Sequence, residues 1–87
     1  MTRAEAARIL ALASQCEMAL VRKDPVAAPL LAQTARAADG LAGGHTLAVA
    51  ARLAREVDIS IHEPARKVVQ ALTRVASQEA QAALLRH

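Results

Sequence analysis

The sequence predicts a single all-α domain over residues 1–87, built as a small bundle or helical-hairpin array of three to four helices. Residues that favour helices dominate the composition, and 23 of the 87 residues are alanine. Apolar residues recur at helical spacing, and β-branched residues form no run longer than a pair. From these patterns and the turn signals between them, we expect helices at about 3–22, 25–39, 46–57 and 62–86.

The first helix has a clear beginning in the sequence. Thr2 and Glu5 have the spacing of a capping box, in which each side chain satisfies a backbone N–H group at the start of a helix. Beyond it, apolar residues recur every three or four positions, as a helix with one buried face requires. The residues of this face are Ala6, Ile9, Ala13, Cys16 and Leu20.

The second helix is framed by an Asp-Pro pair and a glycine. Asp24 and Pro25 are typical of the N-cap and first helical position, and Pro29 falls within the first turn, where no helical bond is lost. Gly40 is suited to the left-handed residue that follows a helix. Alanines surround this helix on nearly all sides, which predicts burial on more than one face.

The third and fourth helices follow a glycine-rich joint at 40–45. His45 or Thr46 is expected to cap the third helix, and Ser60 with Glu63 forms a second capping box before the fourth. The fourth helix is the longest, and its apolar residues predict the buried face. These residues are Ile61, Ala65, Val68, Leu72, Val75, Ala76 and Ala83.

Composition also bears on compartment and partners. The single cysteine excludes an internal disulfide, no segment has 18 consecutive apolar residues, and no signal peptide is evident, so we expect a cytoplasmic protein without membrane contact. Nine arginines against two lysines, with abundant alanine, favour a bacterial source. The chain has no Phe, Tyr or Trp, which disfavours base stacking and aromatic ligand cages.

No motif in the chain predicts catalysis, a cofactor or a metal site. The glycine-rich stretch before Thr46 lacks the lysine of a phosphate-binding loop, and a helix rather than a strand precedes it. His62 and Glu63 begin a zinc-protease pattern, but Arg66 occupies the place of its second histidine. Cys16 lies on an apolar face, where a thiol is unreactive. We therefore expect a protein that is not an enzyme.

Self-association or a protein partner is the leading functional expectation. A small alanine-rich core provides little burial, and several large apolar residues are surplus to the predicted buried faces. We expect an adaptor, chaperone-like or regulatory subunit that forms oligomers or binds a partner helix through an Ala/Leu-rich surface. The candidate partner-binding residues are Leu12, Met18, Leu30, Leu31, Leu84 and Leu85.

A basic helix-turn-helix-like regulator is the alternative. The formal net charge is +3, and residues 47–72 can be aligned with a helix-turn-helix frame in which the third and fourth helices contact nucleic acid. Eight acidic residues interleaved with the bases make this alternative the less favoured one. Its candidate phosphate contacts are Arg52, Arg55, Arg66, Lys67 and Arg74.

Overall fold

A computed structural model describes residues 2–40 and 44–86, which contain four α-helices and no strand. The predicted all-α class is therefore confirmed. Part of the glycine-rich joint predicted at 40–45 lies outside the described residues. The helices are α1 (Arg3–Val21), α2 (Ala27–Ala37), α3 (Gly44–Glu56) and α4 (Glu63–Arg86).

The start and the buried face of α1 agree with the sequence prediction. Thr2 precedes the helix in an extended conformation, and its hydroxyl accepts a hydrogen bond from the Glu5 N–H at 3.1 Å. The cap satisfies a backbone donor that otherwise has no partner in the helix. The buried residues are the five predicted ones together with Ala19, namely Ala6, Ile9, Ala13, Cys16, Ala19 and Leu20.

Helix α1 ends in a turn in which a lysine adopts the left-handed backbone conformation. Lys23 has a φ of 58°. Its N–H donates to the Leu20 carbonyl, and the Asp24 N–H donates to the Ala19 carbonyl. This pair of bonds is the Schellman motif, in which glycine normally occupies the left-handed position because it has no Cβ.

The start of α2 lies two residues later than predicted, because Asp24 and Pro25 form a turn rather than the first helical positions. The Asp24 carboxylate accepts a hydrogen bond from the Val26 N–H at 2.9 Å. Pro29 has no N–H to donate to the Pro25 carbonyl, so the i→i−4 bonding begins with Leu30 N–H to the Val26 carbonyl, at 3.1 Å.

Gly44, at the start of α3, lies close against the backbone at the end of α2. A Cβ atom at Gly44 would collide with the Ala38 carbonyl oxygen. Gly40, in contrast, has open space around the same position. Gly40 does not have a positive φ, so its expected left-handed role is wrong. The end of α2 instead bonds the Ala38 N–H to the Thr34 carbonyl.

The cap of α4 differs from the prediction, because Ser60 is occupied in the preceding turn. The Asp58 carboxylate accepts hydrogen bonds from the Ser60 hydroxyl and N–H, and these bonds lower the pKa of Asp58. His62 caps the helix in place of Ser60, since its Nδ1 accepts a bond from the Ala65 N–H at 3.1 Å. The first helical residue is therefore Glu63.

The four helices close into a bundle. Each helix packs on the next along the chain, and α4 returns to pack on α1, its most extensive contact. Few large side chains are fully buried among the described residues, and alanine, threonine and cysteine fill much of the core. The large ones are Ile9, Leu20, Leu31, Leu47 and Val69.

The orientation of α4 corrects the predicted buried face. Val68 and Val75, expected inside, are 50% and 45% exposed, and Ile61 is more exposed still. The buried face is formed mainly by small residues, which match the small residues of α1 and let the two helices approach closely. Its members are Ala65, Arg66, Val69, Thr73, Ala76, Ala80 and Ala83.

Candidate functional site

The outer side of α4 carries a row of apolar side chains that faces away from α1. Ser77 marks the side toward α1, because its hydroxyl donates a hydrogen bond to the Glu17 carboxylate at 2.8 Å. At about 100° per residue, Val68, Leu72 and Val75 lie on the opposite side of the helix from Ser77. Leu72 is half-buried, and the two valines are about half exposed. The row therefore lies on the flank of α4 that does not contact α1.

The neighbouring flank of α3 continues this apolar row. Ala48, Arg52 and Arg55 line a cleft shared with α2, and they define one flank of α3. The opposite flank presents Val49 and Leu53, and Val57 follows the end of α3 at the same spacing of four residues. Because α3 packs on both α2 and α4, this second flank lies on the side of α4. Leu53 and Val57 are half-buried against the core, and Val49 is exposed.

We define the α3–α4 apolar face by six uncharged residues. They are Val49, Leu53, Val57, Val68, Leu72 and Val75. The exposed Ile61 precedes the α4 row at the same spacing, and the half-buried Glu79 follows it. Partly exposed apolar side chains grouped on neighbouring helices are typical of an interaction site.

The six residues predicted to bind a partner do not form one exposed surface. Leu31 has no exposed surface and lies in the core, so its prediction as a surface contact is wrong. Leu30 is half-buried and packs against the same core. Met18 and Leu85 are exposed, and the other two residues are half-buried, namely Leu12 and Leu84.

The α3–α4 apolar face was missed because its residues on α4 were assigned to the core. Two apolar rows run side by side along this helix, each with alternating spacings of three and four. One row contains Val68, Leu72 and Val75, and the other contains Val69, Thr73 and Ala76. The only sequence signal that separates them is residue size, because the row of smaller residues is the one that faces α1.

The basic residues of the nucleic-acid alternative are divided between different sides of the molecule. Arg66 is 8% exposed, so its prediction as a phosphate contact is wrong. Lys67 pairs with Glu63 at 3.5 Å on the surface of α4. Arg74 is exposed and lies on the flank of α4 opposite the apolar row. The two remaining residues, Arg52 and Arg55, lie on the flank of α3 that faces α2.

Cys16 lies inside the bundle, as predicted, and is the free thiol of the chain. Its sulfur lies 3.8 Å from the Ala27 carbonyl oxygen of α2. Burial raises the pKa of the thiol to about 11, despite an opposing hydrogen bond from Thr73. Because the thiolate is the reactive form, this environment keeps the thiol inert near neutral pH.

No three His, Cys, Asp or Glu side chains within 2–40 and 44–86 are grouped closely enough to hold a metal ion. His62 is used as the α4 cap rather than as part of such a group. No helix in the described part of the chain has both the length and the hydropathy needed to cross a membrane.

Comparison of the chain with protein-family models, curated proteins and solved structures finds no significant match.

Proposed function

We propose that the chain is a non-enzymatic protein–protein interaction module of the bacterial cytoplasm, acting as an adaptor, a chaperone-like protein or a regulatory subunit. The α3–α4 apolar face is the proposed binding surface. The observation that carries the proposal is the outward row of Val68, Leu72 and Val75 on α4. These side chains are larger than the alanines on the buried side, and yet water reaches them.

The spacing of the row favours a helix as the bound element. Val68, Leu72 and Val75 are separated by intervals of four and three residues. The same intervals occur where one helix inserts its side chains between those of another. Leu53 of α3 and Val57, which follows the end of α3, widen the surface into an apolar strip. An amphipathic helix laid along this strip buries its own apolar side chains.

A second copy of the chain is the simplest partner for this surface. Two such faces related by a twofold axis bury the same residues on both subunits, because a twofold interface is self-complementary. A helix of another protein with a similar apolar row is the other candidate. The small core supports association of either kind, because a domain of this size buries a limited fraction of its surface on its own.

Analytical ultracentrifugation of the wild-type chain and of Val68→Glu tests the proposal. We expect the wild type to dimerise at micromolar concentration and Val68→Glu to weaken the dimer at least about tenfold, because the interface then buries an unpaired carboxylate. Far-UV circular dichroism is expected to show equal helicity for both proteins, since Val68 is half exposed in the monomer.

Val21→Glu is the matched control, because Val21 is an exposed valine on α1, outside the α3–α4 apolar face. We expect this variant to assemble as the wild type does. If the wild type is monomeric, the partner is another protein, and its co-purification must be lost with Val68→Glu and kept with Val21→Glu. A monomeric wild type whose partners are unaffected by Val68→Glu contradicts the proposal.

A further inference from the structure

A cleft of about 370 Å³ opens between α2 and α3, away from the α3–α4 apolar face. Each helix contributes alanines to it, and their single methyl groups leave the space between the helices unfilled. Longer polar side chains from both helices border the same space. The lining residues are Ala32, Ala35, Arg36 and Asp39 of α2, with Ala48, Ala51, Arg52 and Arg55 of α3.

The lining of the cleft has a net positive charge. Arg36, Arg52 and Arg55 are exposed, and Asp39 is the one acidic residue of the lining, which gives the lining a formal charge of +2. Within the described residues, no ion pair joins these arginines to Asp39. The guanidinium groups are therefore available to a ligand.

A second basic opening adjoins the cleft. A cavity of about 300 Å³ is lined by Arg8 of α1 with Gln33, Arg36 and Ala37 of α2. Arg36 therefore borders both openings. This arrangement extends the positive potential along α2, and a concave basic surface concentrates anions near it.

We propose that the α2–α3 cleft binds a small organic dianion, a phosphate monoester or a dicarboxylate, with its apolar part against the alanines. The volume of the cleft falls within the range of small-molecule sites. Guanidinium groups form paired hydrogen bonds to carboxylate and phosphate oxygens, and a dianion matches the formal charge of the lining. This inference is independent of the helix-binding face, because the two surfaces lie on opposite flanks of α3.

A nucleic-acid backbone fits the same arginines less well. Asp39 lies within the cleft and repels a passing phosphate chain, whereas a compact ligand has room to place its anionic group away from that carboxylate. Arg74 and Lys67 lie on the far flank of α4 and do not extend this site into a longer basic track. A small dianion is therefore the occupant that the cleft favours.

Titration of the isotope-labelled chain with phenyl phosphate, and separately with succinate, tests the proposal by nuclear magnetic resonance. We expect saturable amide shifts confined to residues 32–39 and 48–55 for at least one ligand. Arg36→Gln and Arg52→Gln are each expected to weaken binding about fivefold, since each removes a charged donor. Asp39→Asn is expected to strengthen it by about twofold to fivefold, because a repelling charge is lost.

Arg74→Gln is the matched control, because it makes the same change in net charge at an exposed site outside the cleft. It is expected to leave binding unchanged. The two ligands distinguish phosphate from dicarboxylate. Absence of saturable shifts with both ligands at millimolar concentration overturns the proposal, as does equal weakening by Arg74→Gln and Arg52→Gln. Tighter binding of duplex DNA, weakened by Arg74→Gln, also overturns it and assigns the arginines to nucleic acid.

Discussion

The two sides of α4 differ in a way that runs against the usual relation between side-chain size and burial. Facing α1 are mainly alanines with Val69 and Thr73, and these residues are buried. Val68, Leu72 and Val75 face outward and are larger. Leu72 is half-buried, and the two valines are about half exposed. Burying the larger side chains removes more apolar area from water and is worth more free energy. The observed arrangement indicates that close approach of α1 and α4 decides which side faces inward.

The strongest test of the difference between the two sides of α4 uses two single variants, with glutamate at one of two adjacent positions in each. Ala76 is 2% exposed, so Ala76→Glu buries a carboxylate without a partner. We expect it to lower the free energy of unfolding by about 3–5 kcal/mol. Val75→Glu points outward and, at a protein concentration low enough to keep the chain monomeric, is expected to change that free energy by less than about 1 kcal/mol. Urea unfolding followed by circular dichroism measures both variants. Equal losses in the two variants contradict the assignment of inner and outer sides.

The pH dependence of stability tests the inner side through Cys16, which lies beside Thr73 of α4. The pKa of the thiol rises from 9.0 to about 11 on folding. The folded state therefore keeps its proton where the unfolded state has lost it, and stability falls as pH rises from about 9 to about 11. We expect a loss of about 1–3 kcal/mol over this interval, since one pKa unit is worth about 1.4 kcal/mol.

Cys16→Ala is the control for this measurement. Every other ionisable group of the chain is common to both proteins. Subtracting the two pH profiles isolates the contribution of the thiol, and a difference that stays constant with pH shows that Cys16 is not buried as described.

The smallest expected effect is a gain in stability from a substitution at Lys23. Because Lys23 lies at the end of α1, this substitution changes neither side of α4 and serves as a reference for the two variants on that helix. Lys23 adopts a left-handed conformation at the end of α1, and Lys23→Gly is expected to stabilise the fold by about 0.5–1 kcal/mol. Arg22→Gly, at the right-handed residue just before it, is expected to destabilise by a similar amount. Thermal unfolding of both variants distinguishes this backbone effect from the loss of a cationic side chain.

Much of the fold was predictable because the helix ends are determined locally. Thr2 and Glu5 locate the start of α1 without reference to the rest of the chain. The start of α2 was misplaced by two residues, because turn bonds at Asp24 compete with helix bonds and the sequence does not reveal which set is stronger. His62 was missed as a cap for a related reason, since Ser60 is a better capping residue by type but is held in the Asp58 turn.

The candidate site was less predictable because it depends on how the helices pack. Val68 and Val69 are adjacent, chemically identical and lie in neighbouring apolar rows, yet one is half exposed and the other is fully buried. Their difference depends on the shape of α1, which helical periodicity in α4 does not encode. On α2, helical periodicity likewise does not reveal that Leu31 is fully buried while the adjacent Leu30 is half-buried. It also does not reveal that the charged Arg66 is buried.

The buried position of Cys16 makes its thiol a reporter of opening of the helical bundle. The chain has no aromatic side chain, so its conformational excursions leave no trace in ultraviolet fluorescence. Its single thiol is buried and contacts the Ala27 carbonyl of α2 and Thr73 of α4. We therefore expect a thiol reagent to reach the sulfur only when the bundle opens around it. The fraction of modified molecules, followed over time by mass spectrometry, then measures how often the bundle opens.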